Sequence, residues 1–568
     1  MGPIRLYSDR AAKFAPKPKP APIRASDSAG RKPNIFEDYC VNSSIHGFKY
    51  FVGSSRTIAE KIWWLVVCIV SIYGCARLIE TVYDKWRRNP VVVTFAEQPT
   101  PIHDIPFPTV TLCPITKVKS SVLNFTAVYL QTVQQNQKHN ISEEEFDRFM
   151  AMNQVCDFSF SEFTDDQTYD DNIVSVLQDM AIPFDEIFIL CSWKNKYVDC
   201  SQLFNPALTE SGICYTFNSL SADDLLRKEV FHNDFEHLAE TRSSENWSMQ
   251  DGYKPNLGLD TYPRRTLSPG ALSGMVLILK SELADMDYLC GNSFQGFQMQ
   301  LHSPNQCPQI STQHIRIPMH QAVQVRIDPF LTSTSENVMS YSPEKRQCFY
   351  THERYLRFFK IYTKRNCELE CLANVTLHRC GCVLFSMPHS SGTRLCGIQK
   401  LKCCAEADAI LQEQGLNIMD KSSRELVSSC NCLPACTFVQ YNAEISQADF
   451  DWRRLTDTID LFPNKVNNSD LSVIYIYFKE GHFNSIKRNQ IFGVDDFIAN
   501  CGGILGLFMG VSLLSIVEIL YYFTMKPLIN HFFRKRRNAK KVAMVEPYPA
   551  TAGTYHNTPF NVFLRDIA

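Results

Sequence analysis

Three groups of residues in this chain have types and spacings that could do chemistry. The first lies in Cys501–Thr524, CGGILGLFMGVSLLSIVEILYYFT, where Gly502, Gly503, Gly506, Gly510, Ser512, Ser515 and Glu518 interrupt an apolar run. Small residues let a backbone approach a passing ion, hydroxyl and carbonyl oxygens replace part of its water, and an acid attracts cations. The second group is eighteen cysteines between Cys113 and Cys436, left when Cys40, Cys68, Cys75 and Cys501 are taken from the total of 22. An even, dense set reads as an oxidised, extracellular disulfide framework, whereas zinc would want paired C-x-x-C or H-x-x-x-H spacing, which is lacking here. The third is His46-Gly47. On its chemistry alone it is a turn, the glycine supplying a positive φ.

The glycine-rich stretch needs an element that can aim it. Phe497–Met525 is 29 residues long, which as a straight helix would run ~44 Å against a hydrocarbon core of ~30 Å, so it must tilt or break. At ~100° per residue Gly502, Gly506 and Gly510 form one stripe, and Ser515, Glu518 and Tyr522 another roughly 150° away. Leaving helical geometry around Gly510-Val511-Ser512 would let both halves line one pathway, since non-helical backbone at membrane depth is tolerated where it lines water or is buried in protein. The competing reading packs the glycines against a neighbouring helix, but Glu518 favours a cavity or a polar partner.

A second apolar run, about Thr57–Tyr83, carries Trp63 and Trp64 near one end and Tyr83 and Trp86 at the other, with Arg77 able to snorkel from its outer half. Met1–Arg31 is basic and proline-bearing without an apolar signal core, so this first span is expected also to insert the protein. Basic residues before it and in Arg534–Lys541 predict a plasma-membrane protein with two spans and both termini cytoplasmic. The expected organisation is a cytoplasmic segment 1–56, a span 57–84, an extracellular cysteine-rich domain 85–496, a pore segment 497–525 and a basic cytoplasmic tail 526–568.

With 57 basic against 59 acidic residues, the chain offers no large basic surface for nucleic acid. It shows no nucleophile-base pair or phosphate loop, so no catalytic residues are assigned and no enzyme is expected. Between the spans, alternation places Phe297, Met299 and Leu301 on one face of a half-buried strand, and Val323, Val325 and Ile327 on one face of another. Val473–Phe478 is apolar on both faces, the mark of a central strand, and is read as leading directly into the pore segment. His302, ending its strand, is read as structural. Asp165-Asp166 and Asp170-Asp171 are read as solvated surface, although close pairs could raise one another's pKa. N-x-S/T sequons at Asn124, Asn140, Asn246, Asn374 and Asn467 are expected to carry glycans, and the one at Asn42 to stay bare in the cytosol.

The pattern G-G-x-x-G-L-F-x-G-x-S-x-L-S-x-x-E across Gly502–Glu518 resembles the second transmembrane segment of the degenerin/epithelial sodium channel family. Further matches are His46-Gly47, Phe107-Pro-Thr-Val-Thr-Leu-Cys113 and Cys214-Tyr-Thr-Phe-Asn218, and the cysteine spacing with Asn500-Cys-Gly-Gly is most like the insect pickpocket branch. The resemblance covers about Phe36–Tyr522. It implies an α+β membrane protein, two transmembrane helices flanking a large disulfide-rich extracellular domain with a central β-sheet and peripheral helices. It also implies a homo- or hetero-trimeric, amiloride-sensitive, sodium-selective channel gated through its extracellular domain, with a sensory role. Its partners would be membrane lipid and family subunits, with no metal site and no cofactor beyond the permeant sodium ion. Gly510-Val511-Ser512 would be the selectivity filter, His46, Gly47 and Ala499 gating residues, and Gly502, Gly503, Gly506, Ser515 and Glu518 pore-lining. Asn500 stands where an aspartate is common.

By the same resemblance Cys113 pairs with Cys214, Cys191 with Cys200, Cys348 with Cys436, Cys367 with Cys432, Cys371 with Cys430 and Cys382 with Cys396. Cys380 pairs with Cys403 or Cys404, and Cys404 is the partner assigned. Cys156, Cys290 and Cys307 fall outside the usual seven bridges, with Cys290–Cys307 as the further pairing expected. Rival readings are a non-conducting accessory or receptor subunit and an ATP-gated type of two-span cation channel. The stimulus stays open among protons, peptide, small ligand and force.

Overall fold

The computed structural model describes residues 35–52, 56–88, 91–134, 141–156, 169–232, 242–258, 260–291, 294–412, 430–454, 469–491 and 493–542. The sequons at Asn140 and Asn467 and the pair Asp165-Asp166 lie outside them. The chain divides into two compact units, one of residues 1–87 with 492–568 and one of residues 88–491.

The larger unit is built on two sheets. In the first, the strand order is Val91–Phe95, Ile486–Gln490, Gln321–Thr334, Asp470–Phe478, Met275–Ser281, Phe188–Trp193 and Lys196–Val198, and Phe438–Asp449 also pairs with Gln321–Thr334. The second runs Ile315–Ile317, Phe297–His302, Thr109–Pro114, Gly212–Phe217 and Phe204–Thr209. Asp470–Phe478 is the central strand its two apolar faces require, parallel to Gln321–Thr334 with Val323 opposite Ile474 and Ile327 opposite Phe478. It does not run straight into the following helix, because His482–Phe483 and Ile486–Gln490 intervene as further strands. One core lies between the sheets, with Val323, Val325, Ile327, Met275, Leu277, Ile474 and Ile476 all excluded from solvent. Phe107 sits inside it, its ring 4.9 Å from Trp193, 5.5 Å from Phe478 and 6.2 Å from Phe217. Rings in such edge-to-face contact gain roughly 0.5–1.5 kcal/mol beyond their burial.

Phe297–His302 departs from the half-buried pattern expected of it: Gln298 and Gln300 are buried as well. Both amides are satisfied internally, Gln298 Oε1 accepting from Ser211 Oγ at 3.2 Å and Gln300 bonding both the N–H and the carbonyl of Gln309. His302 is buried, with Nε2 2.9 Å from Thr111 Oγ1 and Nδ1 3.1 Å from the Ser303 carbonyl. Burial lowers its pKa to about 4, so it is a neutral strut at physiological pH. Asp170 is not the solvated surface residue expected. It is partly buried, and burial with the nearby Asp147 charge raises its pKa to about 6.

Helices cover the flanks. Lys364–Cys380 starts on a Thr363 cap, whose side chain accepts from Asn366 N–H, and packs against Leu401–Gln412. The disulfides are Cys113–Cys214, Cys156–Cys290, Cys191–Cys200, Cys348–Cys436, Cys367–Cys432, Cys371–Cys430, Cys380–Cys403 and Cys382–Cys396. Two expectations are corrected. Cys380 bonds Cys403 rather than Cys404, because neighbours on a helix point ~100° apart; Cys404 is turned instead into the core beside Cys396, sulfur to sulfur 3.6 Å. Cys290 bonds Cys156 rather than Cys307, which stays a thiol. The side chains of Asn246 and Asn374 are exposed, and Asn124 is exposed while its Oδ1 caps the helix Phe125–Tyr129.

In the smaller unit Ile58–Arg88 is a single 31-residue helix, apolar and long enough to cross a membrane, running past the expected end at residue 84. The second apolar stretch is two helical pieces, Val494–Met509 and Leu513–Arg534, meeting at 72°. Trp86 stacks on Phe497 with ring centroids 5.3 Å apart, and a Cβ at Gly74 would lie 3.0 Å from the Phe508 ring, so the two apolar elements pack closely.

A broken helix clamped by the His-Gly turn

The break falls at Gly510-Val511-Ser512, and local chemistry accounts for it. Gly510 ends the first helix in the left-handed conformation, φ 65°, its N–H bonding the Gly506 carbonyl at 2.9 Å. Ser512 then opens the next helix as a cap: its Oγ accepts from Ser515 N–H at 3.3 Å, and its own N–H donates to Ser515 Oγ at 3.1 Å. A helix end leaves carbonyls without intrahelical partners. Here the Met509 carbonyl accepts the His46 N–H at 3.0 Å.

His46 is held there by its surroundings. Gly47 has φ 93°, and a Cβ on it would meet Cys68 Sγ at 2.8 Å, so the turn needs a residue without a side chain. The imidazole lies directly on Gly510, where an added Cβ would stand 2.0 Å from Nδ1, 2.5 Å from Cε1 and 2.8 Å from Cγ. Two residues earlier Ser44 ties the other side of the break: its N–H and Oγ donate to Glu518 Oε2 at 3.1 and 2.9 Å, and its Oγ lies 2.7 Å from Ser515 Oγ. Ser515 is fully buried in this contact, and Glu518 is partly so. Below, Tyr39 packs edge-on to Tyr522 at 5.6 Å and Lys526 is ion-paired with Asp38. The arrangement fixes a non-helical turn with small residues above it and a buried serine and an acid below it.

The family model described as "Amiloride-sensitive sodium channel" matches residues 39–522. This chain belongs to that family. Its members are ion channels, not enzymes. Among curated relatives, pickpocket protein 28 of Drosophila melanogaster is 26% identical over 516 residues, 89% of this chain and 80% of that one. The sodium channel protein Nach of Drosophila ananassae is 23% identical, covering 89% and 90%, and acid-sensing ion channel 4-B of Danio rerio 20%, covering 85% and 75%.

Of the residues singled out in the sequence of this channel, His46, Gly47, Gly510, Ser512, Ser515 and Glu518 meet at one place. Val511 is partly buried in the break itself, its N–H 3.4 Å from the Leu505 carbonyl. Ala499, Gly502, Gly503 and Gly506 stand apart from this cluster on Val494–Met509, and nothing lies within 4 Å of an added Cβ at Gly502 or Gly503. Asn500 bonds back to the Asp496 carbonyl at 2.8 Å. Sequence reasoning missed Ser44 and the Asp38–Lys526 pair. The only signal for Ser44 is its place two residues before the histidine, in a polar run between two apolar elements. Among the described residues no group of three or more His, Cys, Asp or Glu is arranged to hold a metal ion.

Proposed function

We propose that this chain is a subunit of a trimeric, amiloride-sensitive, sodium-selective channel of the plasma membrane, gated through its extracellular domain and serving a sensory role. In this reading it has two spans, Ile58–Arg88 and the broken pair from Val494, with both termini in the cytoplasm. The observation that carries it is the break at Gly510-Val511-Ser512 braced by His46 and Ser44, since backbone leaves helical geometry at membrane depth where it lines water or is enclosed by protein.

Three copies of Gly510-Val511-Ser512 would form the narrowest belt, through which sodium passes partly dehydrated on backbone and Ser512 oxygens. Ser515 and Glu518 line the pathway below, the acid favouring cations, while Gly502, Gly503 and Gly506 line it above. His46 and Gly47 gate by holding or releasing the turn. Ala499 gates at the outer mouth, where neighbouring helices approach only while the side chain is small. Asn500 in place of an acid removes up to three negative charges from a trimeric mouth, which weakens block by divalent cations.

Voltage clamp of cells expressing the chain, alone and with a relative, tests this. Amiloride-sensitive sodium current is expected, and replacing Ser512 with a larger residue should raise relative potassium permeability or abolish current. Robust current with an unchanged reversal potential in that variant would refute the assignment. Surface protein that never conducts, with or without a relative, would favour the accessory-subunit reading, and current evoked by ATP the other channel type.

A further inference from the structure

The ectodomain contains a cavity that packing does not explain. It is formed where the strands Phe204–Thr209 and Gly212–Phe217, the turn Ser219–Leu226, Cys307-Pro308, the helix Lys364–Cys380 and the segment Ser386–Pro388 come together, and it holds about 670 Å³ of atom-free space with its mouth included. Its walls are apolar, chiefly Leu208, Leu225, Leu226, Phe231, Phe359 and Leu369. Most of these belong to hydrophobic clusters that elsewhere in the same unit are tightly filled. Protein interiors are packed nearly as densely as organic crystals, and unfilled apolar space costs stability. A cavity of ~300–1,000 Å³ lined by apolar groups with a few polar ones is what small-molecule sites look like.

The polar features set the chemistry of an occupant. None of the residues lining the cavity is charged; its polar groups are the hydroxyls of Thr216, Ser219 and Ser386 and the thiol of Cys307. Thr216 Oγ1 is already 3.2 Å from Thr111 Oγ1, which leaves the two serines to address a ligand. Burial pushes the Cys307 thiol up to about 12, so it contributes a neutral sulfur to the wall and not a nucleophile. A charged ligand would be buried here without a counter-charge, which is strongly disfavoured. From this lining we infer that the cavity is a binding site for a neutral, mostly hydrocarbon small molecule carrying one or two hydroxyl or carbonyl groups. Because its walls come from both a sheet and a flanking helix, occupancy ties those elements together. The site stands on the ectodomain alone and does not depend on the conduction reading.

The test is peptide-resolved photolabelling of the full chain in cell membranes with the neutral, apolar probe 3-trifluoromethyl-3-phenyldiazirine. Label is expected on the peptides carrying Leu225 and Leu226 and on Ile58–Arg88. Excess N-phenyl-1-naphthylamine, also neutral and apolar, should lower the first at least about fivefold, whereas phenyltrimethylammonium should not. Ala207→Trp, which fills the cavity, should lose the ectodomain label and keep that of the helix, and Ala207→Val should retain both. Absence of label on the Leu225–Leu226 peptide, label that the naphthylamine leaves unchanged, or equal competition by the cation would overturn the proposal. The competition arm uses the unsubstituted chain and is decisive even where a variant fails to fold.

Discussion

Replacing Gly510 by alanine tests the clamp most directly. The added Cβ would lie 2.0 Å from His46 Nδ1, and contacts under 3.0 Å essentially never occur, so the ring must retreat by at least 1 Å (3.0 − 2.0). Three ring atoms lie within 2.8 Å of that position, so turning the ring about its own bond does not clear it. Retreat also stretches the 3.0 Å hydrogen bond from His46 N–H to the Met509 carbonyl, whose loss costs about 1 kcal/mol. Holding a non-glycine residue at φ 65° costs a further ~1–2 kcal/mol. Together these bias the clamped turn against its released form by about 2–3 kcal/mol, or roughly 30- to 150-fold. Voltage clamp with surface labelling should show Gly510→Ala reaching the membrane with current per channel protein reduced by at least tenfold, or with sodium selectivity lost. Combining it with His46→Ala removes the clash but not the backbone strain, so the double variant should fall short of the sum of the two single effects. Normal current and reversal potential in Gly510→Ala would refute the clamp outright.

Other outcomes follow from the same structure. Ala499→Val or Ala499→Phe should give sustained, amiloride-sensitive inward current without a stimulus, and wild-type resting current from surface-expressed variant would count against the gating role. Non-reducing peptide mapping should find Cys380–Cys403 in the wild type, all eight bridges intact in Cys404→Ser, and Cys380 displaced from its partner in Cys403→Ser. Thermal unfolding of the full chain should depend on pH in two opposed ways. His302 has its pKa lowered to about 4, so the folded state binds fewer protons than the unfolded one, and its contribution is full above about pH 6.5 and lost as pH falls towards 4. Asp170 is raised to about 6, so its burial costs stability increasingly as pH rises from about 4 to 6. Asp170→Asn should therefore raise the unfolding temperature at pH 7.5 and not at pH 4; a gain of equal size at both would remove the carboxylate charge as the cause.

The break at Gly510 is legible in the sequence because its cause is local: glycines and polar residues on faces that no straight helix can aim together, followed by a serine able to cap. The central strand is legible from a run apolar on both faces. What the chain does not disclose depends on partners far away in sequence. Gln298 and Gln300 read as an outward face, but the loop at Gln309 and the turn at Ser211 bury and satisfy them. Cys403 and Cys404 are adjacent, and only the pitch of the helix they sit on decides which faces Cys380. Asp170 reads as surface because its neighbours in sequence are acidic; the Leu395 carbonyl that accepts its N–H at 3.1 Å belongs to a distant segment. Ser44 is of the same kind, its acceptor Glu518 being 474 residues away.

A ribosome releases Ser44 and His46 long before Met509 and Glu518 exist, so the clamp cannot close until nearly the whole protein has been made. Joining two points 474 residues apart would be an entropic burden on a free chain. The pairing of Val91 with Gln490 shortens that path to 75 residues (91 − 44 plus 518 − 490), which lowers the closure cost by about 1.6 kcal/mol. The turn that shapes the ion path thus waits on a finished extracellular fold, and a subunit whose ectodomain has failed to close is born without the contact on which its pore depends.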